Sequence, residues 1–329
     1  MIRRLFLQAA IAALGLTTLS AVADSPRAWP QRPVRIVVAA PAGSSVDIVA
    51  RVIADGLRQL WGQPVVVDNK PAAGGTSGAT EVAKSPPDGH TLFLGFNGPL
   101  ATAPSLYSSL GYDPAKDFAP IVLSGSQPNL LAVNAQLPVN NLHELIAYAR
   151  AHPGKLNYAS VGNGSSSHLC MELLKQRATL DIVHVPFNGG PPATQAVAAG
   201  DVQALFAAPS NLLGLVKARK LNAIAITGLR RFAPVPDIPT IAESGIPGLA
   251  NFEALAWNGL VAPAATPKDV IMRINQDVND VLANPARRAK LFDAGIEAGG
   301  GSPTAFADLI VSETKKWGEV VRATGARVD

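Results

Sequence analysis

With 329 residues, 48% of them hydrophobic, and 28 basic against 24 acidic side chains, the chain can bury two cores and carries a formal charge of only +4. That charge is small and dispersed, which excludes a nucleic-acid or acidic-membrane surface as the working face. A single cysteine, Cys170, excludes an intrachain disulfide and a cysteine-built zinc site, and its apolar helical neighbours Leu169, Met171, Leu173 and Leu174 predict a buried, inert thiol.

Residues 1–23 read as an export leader: Arg3 and Arg4, an apolar run from Leu5 to about Leu19, and a small-x-small site at Ala21-Val22-Ala23. The run is short for a bilayer span, and no later stretch is long and apolar enough for one. A soluble extracytoplasmic protein without membrane insertion is expected. Arg3-Arg4-Leu5-Phe6-Leu7 also fits the twin-arginine pattern, so the Sec and twin-arginine routes both stay open.

From Val34 onward, strand and helix signals alternate. Val34 to Ala40 predicts a buried strand, Pro41-Ala42-Gly43 a turn, and Ser44 or Ser45 the start of a helix. Val46, Val49, Ile53, Leu57 and Leu60 would share one face of that helix. A helix N-terminus presents unpaired N–H groups and about half a positive charge. The turn is therefore either one wall of an anion pocket or a plain strand-to-helix connection with a Ser cap.

Val65 to Val67 is a second strand, Pro71 to Gly78 a loop opening a helix, and Thr91 to Gly95 a third strand. That order predicts a parallel sheet with helices on its faces. Two extended apolar runs follow, Phe118 to Ser124 and Leu130 to Val133, broken by Gln127-Pro128-Asn129. Asn141 and Glu144 form a capping box ahead of another helix.

A second α/β unit then has strands at Tyr158–Val161, Val183–Phe187, Ala204–Ala208 and Ala223–Ile226, with helices between them. In the tail, Pro239 begins a short helix, Ala254 to Val261 is extended, and further helices start at Pro267, Pro285 and Ser302-Pro303. This tail is too thin for a domain and is expected to pack back on the first sheet, giving two lobes crossed twice by the chain.

Catalytic patterns mostly fail. There is no H-E-x-x-H, no Walker loop and no G-x-G-x-x-G after a strand, and the five histidines lack metal-like spacing, so neither metal nor cofactor is expected. Gly164-Ser165-Ser166-Ser167-His168 approaches a nucleophile elbow without its second glycine. It leaves open an exported serine hydrolase using Ser165 or Ser166 with His168. What the chain has instead is a set of turns rich in Gly, Ser and Asn, shared between both lobes: 42–45, 74–77, 97–99, 164–167, 188–190 and 209–210. Small residues let backbone approach a ligand, and open α/β sheets bind ligands at the carboxyl ends of their strands, where such turns lie. Their number points to a cleft that binds rather than one that reacts.

The ordered set of local patterns resembles the Bug (TctC-like) family, the extracytoplasmic solute receptors of tripartite tricarboxylate transporters. It runs from Trp29-Pro30 and Pro33-Val34-Arg35-Ile36-Val37, through Pro41-Ala42-Gly43 with Asp47, to Val67-Asp68-Asn69-Lys70-Pro71 and Pro87-Asp88-Gly89-His90. Gly162-Asn163-Gly164-Ser165, His184-Val185-Pro186-Phe187, Asp237-Ile238-Pro239-Thr240 and Trp257-Asn258-Gly259 continue it across nearly the whole chain. The resemblance implies a type II periplasmic-binding-protein fold, two α/β lobes around a central ligand cleft with two crossing segments. The lobes would be 24–126 with 227–329, and 127–226. It also implies a monomeric periplasmic receptor that captures a small carboxylate and delivers it to membrane permease subunits, or, loaded with ligand, docks on a sensory protein.

Carried over by position, the resemblance places ligand contacts at Ala42, Ser44, Ser45 and Asn97 in the first lobe, and Ser165, Ser166, Phe187 and Ser210 in the second. Asp47 is expected to order its loop. Two departures, Asn188 where the family pattern has Lys and Ala196 where it has Asp, remove charge from the second lobe. They point to a weakly polar or aromatic dicarboxylate rather than a tricarboxylate such as citrate.

Overall fold

The computed structural model describes residues 29–328; the leader read at 1–23 lies outside the described residues. The first strand, β1 (Val34–Val38), is apolar at four of its five positions because it is covered on both faces. It leads into α1 (Ser45–Trp61), whose Val46, Val49, Val52, Ile53 and Leu57 are buried against it. Each such side chain contributes about 1.5–3 kcal/mol by leaving water. Gly62, left-handed at φ 63°, ends the helix. β2 (Val65–Asn69), α2 (Thr76–Ala83) and β3 (Thr91–Phe96) complete the predicted order, and β1 lies parallel between β2 and β3.

The short α3 (Ala103–Leu106) precedes β4 (Phe118–Pro128), which is longer than its apolar run suggested. Gln127 and Pro128 continue the strand, and only Asn129 separates it from β5 (Leu130–Asn134), which belongs to the other sheet. This is the first crossing. α4 (Leu142–Ala151) starts from the expected cap, Glu144 N–H donating to Asn141 Oδ1 at 3.0 Å. β6 (Leu156–Ser160), α5 (Ser166–Ala178), β7 (Ile182–Pro186), α6 (Gly190–Ala199), β8 (Ala204–Ala207), α7 (Pro209–Lys217) and β9 (Leu221–Ile226) form the second unit.

The segment after β9, expected to belong to the first lobe from 227 on, stays beside the second sheet before returning. Phe232, Val235, Ile241, Leu249 and Phe252 pack on the second sheet, and the chain recrosses at Ala254 into β10 (Leu255–Pro263). Where a helix was expected from Pro239 there is only a short 3-10 turn, Ala242–Ser244. α8 (Lys268–Ala283), α9 (Pro285–Asp293), β11 (Glu297–Gly300) and α10 (Pro303–Thr324) follow. β11 gave no sequence signal, since Glu-Ala-Gly-Gly has no strand propensity and its pairing with β4 is set by distant residues.

Neither sheet is wholly parallel. The first has the order β11-β4-β10-β3-β1-β2 and the second β7-β6-β8-β5-β9. Each returning strand is inserted antiparallel: β10 between β3 and β4, and β5 between β8 and β9. The two crossings are bonded together. Asn129 N–H donates to Thr227 Oγ1 at 2.9 Å, Thr227 N–H returns to the Asn129 carbonyl at 3.0 Å, and Thr227 Oγ1 donates to the Ala254 carbonyl at 2.6 Å.

α10 spans both lobes. Phe306 and Ile310 pack with Phe93, Trp257 and Val261 of the first sheet, while Trp317, Val320 and Val321 join Leu131, Tyr158 and Leu169 in the second core. Gly259 on β10 has no side chain because the Phe306 ring occupies that space; an added Cβ would overlap the ring. Gly259→Ala is expected to cost about 1–3 kcal/mol by overpacking. In urea denaturation, a second change, Phe306→Leu, should restore part of that loss, whereas additive losses would refute the steric cause.

Candidate functional site

The β1–α1 turn is held from inside. Ser44 caps the helix, its Oγ accepting Asp47 N–H at 3.3 Å. Asp47 is buried and takes Gly43 N–H at 2.8 Å, Arg51 Nε at 2.9 Å and Asn69 Nδ2 at 2.9 Å. Burial pushes its carboxyl pKa up, but the bonds from Arg51, Gly43 and Asn69 outweigh that, and the net shift is downward. Asp47 therefore orders the loop, as its position in the first turn suggested. Ala42 is exposed on this loop, and Ser45, the first helical residue, is half-buried. Helix geometry leaves the N–H groups of Ser45 and Val46 without acceptors one turn back.

The β6–α5 turn is built the same way. Ser165 caps α5, its Oγ accepting His168 N–H at 3.3 Å and donating to the Gly162 carbonyl at 2.6 Å. Its hydroxyl proton is thus engaged inside the loop. Ser166, the first helical residue, stands where Ser45 stands in the other lobe. Gly164 takes φ 72° and lies so close to Leu106 of α3 that a Cβ would overlap it.

Beneath this turn lies a buried stack. His168 and His184 are parallel at 4.0 Å, and Tyr158 stacks on His184 at 4.8 Å. His168 Nδ1 accepts Gly164 N–H at 3.0 Å, so the ring is neutral there, and His184 Nε2 meets Ser160 Oγ at 2.7 Å. Burial pushes both imidazoles down to about 4. Burial likewise pushes the Cys170 thiol up to about 12, in line with an inert cysteine.

The structure brings together the two N-terminal serines from opposite lobes. Gln127 Nε2 donates to Ser45 Oγ at 3.4 Å, and Asn129 Nδ2 donates to Ser166 Oγ at 3.4 Å. Gln127 ends β4 with Pro128 and Asn129 is the junction to β5, so Ser45 and Ser166 are both bonded to one short stretch of the first crossing. Sequence had given Gln127-Pro128-Asn129 only as a break between strands. The available signal was a pair of carboxamides around a proline at the junction of two apolar runs.

Phe187 joins this end of the second lobe. It is half-buried, its N–H bonds the Ser160 carbonyl at 3.0 Å, and its own carbonyl faces Gly162. Ser210 is exposed at the carboxyl end of β8, opposite Gly295 of the first lobe, and borders an open groove of about 340 Å³ between α6 and α7. Asn97 is placed differently. It is 1% exposed, accepts Trp257 N–H at 3.0 Å, and donates to the Leu255 carbonyl at 3.1 Å and to Glu313 Oε2 at 3.4 Å. Both of its amide protons are engaged inside the protein, so its side chain braces β10 and α10. Ala196 sits two turns into α6, partly buried, while Asn188 is exposed on the turn before it.

The family model described as tripartite tricarboxylate transporter family receptor matches residues 49–326. The chain belongs to this receptor family. The receptor is 35% identical over 301 residues to BugT of Bordetella pertussis, covering 91% of each chain. Among solved structures, it resembles an R. palustris protein with adipate at TM-score 0.83 and 36% identity, covering 91% of this chain and 100% of that one. It also resembles MatC of Rhodopseudomonas palustris with bound malate at TM-score 0.78 and 36% identity, covering 89% and 99%.

The fold is that of the periplasmic binding proteins, and the receptor binds a substrate rather than transforming it. The hydrolase alternative is overturned on its own geometry as well. The ring of His168 accepts a backbone N–H through Nδ1, the Ser165 hydroxyl donates to a carbonyl, and the Ser166 hydroxyl is met by Asn129 Nδ2, so the bonds of all three run elsewhere than a serine–histidine pair. No helix among the described residues is long and apolar enough to cross a membrane.

Proposed function

We propose that this receptor captures a small dicarboxylate of low polarity in the periplasm and delivers it, as a monomer, to the membrane permease subunits of a tripartite tricarboxylate-type transporter. The leader at 1–23 would carry it there. The observation that carries the reading is the convergence of two helix N-termini, one per lobe, with Ser45 and Ser166 bonded to residues two apart in the first crossing. Each N-terminus suits one carboxylate, through unpaired N–H groups, a serine hydroxyl and the helix dipole, without a lysine or arginine. Charge-assisted bonds of about 1.5–3 kcal/mol each suffice together for micromolar capture. Adipate and malate, carried by the two similar structures, both have two carboxylates.

In this reading Ala42, Ser44 and Ser45 line one side, Ser165, Ser166 and Phe187 the other, Ser210 borders the entrance, and Asn97 braces β10 and α10. The test is a thermal-shift panel of adipate, malate, aromatic dicarboxylates and citrate. A dicarboxylate at a hundred times its Kd should stabilise by about 2.7 kcal/mol, raising Tm by about 4 °C. Ser45→Leu and Ser166→Leu should each abolish the shift while keeping the unliganded Tm. A response to citrate with none to the dicarboxylates would overturn the ligand class.

A further inference from the structure

The two carboxamides of the first crossing do something that their own burial does not require. Asn129 is 2% exposed, and its Nδ2 reaches both Ser166 Oγ and Cys170 Sγ at 3.4 Å. The thiol donates onward to the Ala254 carbonyl at 3.6 Å, so its sulfur is the acceptor of the Asn129 bond. That fixes which way the amide points. Gln127 is 7% exposed; its Nε2 donates to Ser45 Oγ, and its Oε1 is buried without a protein partner. A glutamine present only to satisfy the core would have both ends bonded.

A serine hydroxyl has one proton to give and two lone-pair sites to receive. An amide N–H occupying a receiving site directs the hydroxyl's proton elsewhere. We infer that Gln127 and Asn129 are positioning residues for ligand capture, each turning the hydroxyl of its serine, Ser45 or Ser166, into a donor aimed at a ligand carboxylate. This rests on the dicarboxylate reading above. Gln127 stands on β4 and Asn129 at the junction with β5, so both donors are set from one three-residue stretch of the first crossing. Neither amide needs to touch the ligand.

Double-mutant cycles on the full receptor, read by calorimetric titration with adipate and malate, test this. Gln127→Met and Ser45→Ala should each weaken binding about tenfold, and the double variant should be no weaker than Ser45→Ala alone, because the glutamine acts only through the serine. Asn129→Leu with Ser166→Ala should behave likewise; Asn129→Ala replaces Asn129→Leu if the latter misfolds. Combining Gln127→Met with Ser166→Ala, across the pairs, should give about a hundredfold loss. Gln127→Glu should bind more weakly than Gln127→Met, since a carboxylate takes the Ser45 proton for itself. Wild-type binding to neither adipate, malate nor any aromatic dicarboxylate of the panel overturns the dicarboxylate reading and this inference with it. Wild-type binding with additive losses within the Gln127–Ser45 pair, or an unchanged Kd in Gln127→Met, overturns the inference alone.

Discussion

Replacing Glu313 by Leu is expected to destabilise the receptor by about 3–5 kcal/mol, the range for removing one partner from a buried charged cluster. Glu313 is 8% exposed at the middle of α10. Its Oε2 accepts Trp317 Nε1 at 2.7 Å, Trp257 Nε1 at 3.0 Å and Asn97 Nδ2 at 3.4 Å, and its Oε1 pairs with Lys316 at 3.0 Å. Leucine would leave two indole N–H groups buried without an acceptor, and an indole cannot turn its donor elsewhere. Trp257 and Asn97 belong to the first lobe, and Trp317 packs in the second core, so the carboxylate joins the two. The loss should therefore appear as weaker coupling as well as lower stability. Urea denaturation followed by tryptophan fluorescence and by circular dichroism should give one shared transition in the wild type. In Glu313→Leu the midpoints should fall and separate. Glu313→Gln, which keeps an acceptor oxygen, should lose less than half as much. A Glu313→Leu protein with an unchanged midpoint would show that the three donors find other acceptors.

How much of this was legible in sequence depended on the range of the interaction concerned. The Ser44 cap, the Asn141–Glu144 box and the α1 face were readable because cap and period are decided within one or two turns. The lone cysteine was placed correctly by its apolar neighbours. The insertion of β10 was not readable, since its partners on β3 and β4 lie more than a hundred residues away and an apolar run does not state its direction. Asn97 shows the same limit within the site. A polar residue after a strand looks alike whether it faces a cleft or a core, and what decides it here is Glu313, 216 residues further on. Pro128 misled in the opposite sense. Proline is usually read as ending a strand, but here it sits at the last β4 position, paired with Leu255, where the chain is already leaving the sheet.

Acidification is expected to weaken the receptor in a window set by the histidine stack. In the folded state burial, helped by the charge of Lys175, pushes His168 from about 6.5 down to about 4. Burial first, then its neighbour His168, does the same to His184, against an opposing pull from Glu172. The unfolded chain thus binds protons more readily than the folded one between these values. The stabilisation is complete above pH 6.5, declines as pH falls, and is exhausted near pH 4. For His168, 4% exposed, the shift corresponds to about 3 kcal/mol, and the more accessible His184 adds less. Asp47 and Glu81, whose pKa values are lowered, weaken the fold only as they take up protons below the ordinary carboxylate range, so their effect follows at lower pH. Urea midpoints measured from pH 7.5 to 4 should fall steadily below 6.5. His168→Asn, which keeps an acceptor for Gly164 N–H but cannot titrate, should be less stable at pH 7.5 and flatter across the window. A wild-type midpoint that holds constant down to pH 4.5 would mean that the stack admits a proton without cost. The consequence for binding is direct, because a protonated Nδ1 cannot accept the Gly164 N–H. That bond holds the turn on which Ser165 and Ser166 stand.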